Sequence, residues 1–183
     1  MDIAVLLPIA AFIALAAGLA FVLRGTGRIV ARTRELEQFR AGAGDLAARV
    51  DASLAGAVGQ IDAVRRRQVG PDTVTDTIVA ALDAVDRYTD EAKALRGPRK
   101  AMRIRAEMVA ELERAQRALG MVDHGISIMV TARRGPRELE AQTSIKRGYL
   151  NLIHSREAFA RHALEAKAFQ ADRTAQKADA GDV

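Results

Sequence analysis

From Ile3 to Leu23 the chain carries no charge: 12 strongly apolar residues and seven alanines are interrupted only by Pro8 and Gly18. As a helix this stretch would be about 31 Å long, the thickness of a bilayer's hydrocarbon core. Twelve strongly apolar residues favour insertion by roughly 4 to 7 kcal/mol before the small residues are counted. A cleaved secretory signal would need a positive leader and a shorter apolar core. Here only Met1 and Asp2 precede the run. The expectation is therefore a retained transmembrane anchor over residues 1–24, rather than an export signal or a buried helix.

The flank behind the run is one-sided. Arg24, Arg28, Arg32 and Arg34 follow the run before any acid intervenes, the next being Glu35, so residues 25–35 read as a basic juxtamembrane segment. Basic residues beside a span stay on the cytoplasmic side. The sequence thus predicts a single-pass protein of the cytoplasmic membrane, with its N-terminus outside and its bulk in the cytoplasm. The same arginines can meet acidic headgroups, at about 1 kcal/mol each when close to the surface, and membrane lipids are the first expected partner.

Beyond Glu35 the residues are those of helices. Aromatics make up 4% of the chain, and helix formers far outnumber strand formers. Three Gly-Pro corners, at Pro71, Pro98 and Pro136, combine a helix-ending residue with one suited to the first turn of the next helix. They predict helices over about 33–69, 72–96, 98–133 and 136–172. Their apolar residues recur in steps of three and four. One seam is Leu36, Phe39, Ala43, Leu46 and Val50, resuming after an extra residue at Leu54, Ala57, Ile61 and Val64. A second is Val74, Ile78, Leu82, Val85, Ala92 and Leu95. A third is Met108, Leu112, Ala115, Leu119, Val122, Ile126 and Met129. The last segment has a broader face of Leu139, Ile145, Tyr149, Leu152, Ile153, Phe159, Ala163 and Leu164.

The predicted fold is all-α: one N-terminal transmembrane helix, then an antiparallel bundle of about four amphipathic helices over residues 36–172, and a flexible tail over 173–183. Alanine-rich seams bury little area per turn, which favours a homo-oligomer.

Gly42, Gly44, Gly56 and Gly59 crowd the first bundle segment. Either the helix breaks near "AGAGD", with Asp45 capping a new one, or the glycines admit a close neighbour. "GDLAARV", residues 44–50, resembles the GDL-x-x-R-V stretch of HAMP signalling modules, which also follow a transmembrane helix and join it to a helical output. That resemblance implies signal relay. Residues 24–43 lack the family's proline, and no Asp-Glu-x-Gly follows.

Chemistry is sparse. With no cysteine, disulfides, thiolate zinc sites, iron–sulfur clusters and cysteine nucleophiles are excluded. His154 and His162 are eight residues apart, about 12 Å on one helix, too far to share an ion. Asp123 and His124 are helix neighbours pointing different ways, and no Glu-x-x-His pair supports a di-iron site. The reading is non-enzymatic, with no cofactor and no metal.

Two clusters remain as candidate sites. Arg96, Arg99, Lys100, Arg103 and Arg105 surround the second Gly-Pro corner, a candidate contact for an anionic surface. An up-and-down bundle leaves this corner about 18 Å short of the membrane, beyond the Debye length of about 8 Å. Interleaved acids and few aromatics argue against nucleic acid. Lys146, Arg147, Tyr149, Asn151, His154 and Arg156 form the other cluster, whose residue types suit a protein interface. The functional expectation is a membrane-anchored scaffold or regulator of a membrane-associated assembly, working through an unidentified protein partner. HAMP-like signal relay is the alternative, and binding of acidic lipid or nucleic acid through basic bundle ends comes third.

Overall fold

A computed structural model describes residues 3–131 and 136–169, with the side chains of residues 3–14, 16–29, 100 and 136 outside the description. Four helices account for nearly all of it: α1 (Ile3–Arg65), α2 (Thr75–Ala94), α3 (Met102–Thr131) and α4 (Pro136–Ala168). Short 3-10 turns, Pro71–Val74 and Arg99–Ala101, lead into α2 and α3. There is no strand among the described residues. The expected tail, 173–183, lies outside them.

Each helix runs antiparallel to the one before it. Arg49 and Ser53 of α1 meet Glu91 and Tyr88 of α2, while Asp51 and Arg40 of α1 meet Arg156 within α4 and Phe169 just beyond its end. Every helix has two main neighbours, in the cyclic order α1, α2, α3, α4, so the all-helical bundle expected from the seams is what forms.

Of the two alternatives for the glycines, the break near Gly42 is absent, and Gly42 and Gly44 do meet close neighbours, Leu95 and Lys167, whereas Gly56 and Gly59 do not. α1 is a single helix of 63 residues, about 95 Å long, whereas the 30 residues of α3 span about 45 Å. Leu36, Phe39, Ala43, Leu46, Val50, Leu54, Ala57, Ile61 and Val64 are all buried. The extra residue at Val50 to Leu54 is thus accommodated within one continuous helix, not by a joint. Asp45 caps nothing; its carboxylate accepts from Arg49 Nε at 3.0 Å, one turn on in the same helix. Among the described residues no helix is long and apolar enough to cross a membrane. The expected anchor falls, Leu15 apart, on residues whose side chains are not described.

α1 also ends earlier than its Gly-Pro corner. Arg67 adopts a left-handed conformation, φ 59°. Gln68 N–H reaches Ala63 O, and Arg67 N–H reaches Val64 O, both at 2.9 Å. This is the paired C-terminal closure usually given to glycine. The glycine rule therefore misplaced the stop by about four residues. Gly70 instead precedes the turn that starts at Pro71.

The third seam is buried as expected, apart from half-buried Met129. The α4 face needs correction. Leu139 and Leu164, read as core, are 70% and 63% exposed. The buried line is Ala141, Ile145, Gly148, Leu152, Ser155, Phe159, Ala163 and Ala166, again in steps of four and three. Small residues set that line because α4 lies against the backbone of α3. A Cβ built at Gly148 would sit 2.6 Å from Ala118 O, and one at Gly125 would sit 2.8 Å from Ala141 O. Between these two points Ser144 Oγ donates to Met121 O at 2.8 Å.

These distances set opposite expectations for two glycine substitutions. Gly148→Ala forces the helices apart and is expected to destabilise by about 1–3 kcal/mol. At Gly56 and Gly59 a Cβ meets nothing within 4 Å, so alanine there should stabilise by about 1 kcal/mol each through helix propensity. Denaturant unfolding of the variants measures both signs.

Candidate functional site

Antiparallel packing sorts the side chains onto two ends and four outer faces. At one end the α2–α3 corner rests on α1: a Cβ at Gly97 would lie 2.9 Å from the Phe39 ring. The C-terminus of α4 arrives at the same level, where Arg40 Nε donates to Phe169 O at 2.9 Å. The opposite end carries Arg65, Arg67 and the first turns of α4. Arg67 Nη2 there lies 3.6 Å from Glu138 Oε1.

Two residues of the basic corner are occupied with their own bundle. Arg103 donates to Glu107 Oε1 and Glu165 Oε1, each at 2.6 Å, and these two bonds hold its guanidinium charged above the ordinary arginine range. Arg105 Nη1 donates to Lys93 O and Leu95 O at 3.2 Å, closing carbonyls at the end of α2. Arg96 and Arg99 are exposed, and the Lys100 side chain lies outside the described residues. Since the corner sits beside Phe39, it is 16 residues along α1 from Leu23, about 24 Å. That separation exceeds the Debye length about threefold. Of the four basic residues ahead of Glu35, Arg32 and Arg34 are exposed on α1; the side chains of Arg24 and Arg28 lie outside the described residues.

The predicted interface cluster splits in two. Tyr149 and Arg156 turn towards α1: the Arg65 guanidinium stands 4.1 Å from the Tyr149 ring centroid, and Arg156 Nε donates to Asp51 Oδ1 at 2.7 Å. Lys146, Arg147, Asn151 and His154 face outward. Among them is Leu150, 53% exposed, which the sequence reading passed over. At 3.6 residues per turn, Leu139, Leu150 and Leu164 fall within an arc of roughly 40°. They share the outer face of α4, about 16 and 21 Å apart along its axis, with exposed Lys146 and Glu157 between them. The alternation of Ala141, Ile145, Gly148 and Leu152 is the signal that would have rotated these leucines out of the core.

The α1–α2 seam is closed by an aromatic and ionic cluster. Arg49 spans Asp45 and both oxygens of Glu91, at 3.1 and 2.5 Å, with the Tyr88 ring centroid 5.6 Å away. Tyr88 Oη in turn lies 2.8 Å from Ser53 Oγ. One further group was missed altogether: Glu107 of α3 meets His162 and Glu165 of α4. The pair on α4 has His-x-x-Glu order, the reverse of the motif sought, and its third member lies 55 residues away in the chain. Compared with known proteins, the chain matches no family model, no curated protein and no solved structure.

The hydrogen bond from Arg49, followed by its charge, holds the Glu91 carboxyl below its ordinary value of 4.5. A carboxyl depressed by folding adds stability above its unfolded pKa and loses it as the pH falls through the folded one. Because both side chains are nearly half exposed, screening limits the contribution to about 0.2–1 kcal/mol. Glu91→Gln should therefore lower stability by that amount at pH 7, and the difference should vanish as the pH falls through the lowered pKa of Glu91. Urea unfolding at several pH values reads the convergence.

Proposed function

We propose that the chain is a single-pass, membrane-anchored helical bundle that acts by binding, as a scaffold or regulator of a membrane-associated protein assembly. The observation that carries this reading is the continuity of α1, which runs unbroken from the uncharged stretch at Ile3 to the bundle's end at Arg65. On that stretch the one described side chain, Leu15, is 73% exposed, as expected of a lipid-facing residue. The arginines behind the stretch orient the bundle towards the cytoplasm. The binding face is the outer side of α4, where Leu139, Leu150 and Leu164 lie without a core to cover them. Around Leu150 the exposed flank is Lys146, Arg147 and His154 against Glu157. The complementary occupant is an acidic amphipathic helix of a partner protein.

Signal relay is the second reading, and the same continuity favours it. A rod without a joint at Gly42 to Asp45 carries any rotation of the apolar segment directly into the bundle seam.

Two measurements test the proposal. Protease added outside intact cells should leave the region after Arg24 uncut, and digestion there would reverse the orientation. A photo-crosslinker at Leu150 should capture a discrete protein in membranes. Capture from a neighbouring position should fall at least tenfold in the variant Leu150→Glu plus Leu164→Glu, whose exposed sites leave the melting midpoint nearly unchanged. Full capture by that variant would remove this face from the proposal.

A further inference from the structure

We propose that Glu107, His162 and Glu165 form a binding site for a divalent transition-metal ion of the zinc type, clasping the last turns of α4 to the start of α3. The ligand atoms of the three residues lie within 4.8 Å of one another. His162 Nδ1 is 3.2 Å from Glu107 Oε2 and 3.6 Å from Glu165 Oε2. Around a tetrahedral zinc ion with bonds of about 2.0–2.1 Å, neighbouring ligands stand about 3.3 Å apart, so these edges already have the right length.

Glu107 Oε2 is buried and has no hydrogen-bond partner. His162 lies within ion-pair distance of it but without hydrogen-bond alignment, which leaves a buried lone pair beside the imidazole. Such an orphaned acceptor is costly unless something binds it. Arg103 takes the other oxygen of each carboxylate, at 2.6 Å. It fixes the orientation of both ligands in the manner of the outer groups that support metal sites. With a neutral imidazole, one guanidinium against two carboxylates leaves the cluster one negative charge, which favours a cation. One nitrogen and two carboxylate oxygens suit zinc and its transition-metal neighbours better than calcium or magnesium, which prefer all-oxygen shells. Glu165 is exposed, so the fourth position opens to water.

The test is titration of the full-length protein, in detergent solution, with zinc and separately with cobalt(II). The expected result is one ion per chain, a raised melting midpoint, and for cobalt the visible absorption of a four-coordinate site. Magnesium at the same concentration should give neither effect. Glu107→Gln plus His162→Gln should weaken zinc binding at least tenfold, and His154→Gln should leave it unchanged. Glu165→Gln, on an exposed side chain, should repeat the loss without disturbing packing. Absence of saturable binding, binding that survives Glu165→Gln at full strength, or binding lost with His154→Gln each overturns the proposal.

Discussion

The close approach of α3 and α4 is the constraint from which the rest of the bundle follows. An alanine-rich chain cannot separate its helices by the width of leucine side chains and still fill the space between them. It must let backbones come near. Gly148 under Ala118 O and Gly125 over Ala141 O make this possible. Once those points touch, the rotation of α4 about its own axis is set. Ile145, Leu152 and Phe159 then turn inward, and Leu139, Leu150 and Leu164 turn out, whatever their hydrophobicity.

That ordering explains which parts of the fold were legible. Seams built from large residues, such as Leu36 to Val64 in α1 and Met108 to Ile126 in α3, could be read by counting apolar positions, because burial of area decides their orientation. The α4 seam could not. Its determinants are Gly148 and Ala141, whose contribution is proximity and not area, while Leu139, Leu150 and Leu164 lie on the other side. The same contrast holds at helix ends. Gly97 marks a real corner because Phe39 requires the space. The stop of α1 at Arg67 has no glycine to announce it, since two backbone hydrogen bonds impose the left-handed turn on an arginine.

Thin seams also explain how the arginines are used. Arg49 reaches Glu91 from α1 to α2, Arg103 reaches Glu165 from α3 to α4, and Arg156 reaches Asp51 from α4 to α1. Exposed pairs of this kind add little stability individually. They do select register, because an antiparallel pair shifted by one turn would place each guanidinium opposite the wrong residue. In sequence such arginines look like clusters awaiting an anionic ligand, as at residues 96–105. Only the fold shows that Arg103 and Arg105 already have acceptors. Metal-ligand spacing is subject to the same limit: a motif within one helix can be counted, but Glu107 opposite His162 exists only after α3 and α4 have paired.

α1 differs from the other helices in serving two roles along one rod. Its second half is a bundle member with a complete seam. Its first half continues, without a turn, past the level at which α4 ends beside Arg40 and the α2–α3 corner rests on Phe39. No described helix accompanies it beyond that level. A lone helix of that length is not held by tertiary packing. On the proposed membrane-anchored reading, a lipid bilayer covers the apolar residues of this stretch, whose length matches the bilayer core. In that arrangement the corner at Gly97, the end of α4 and the Glu107 cluster form the bundle end nearest the membrane, and the α4 leucines lie along its side, where a partner can approach without crossing the basic flank of the anchor.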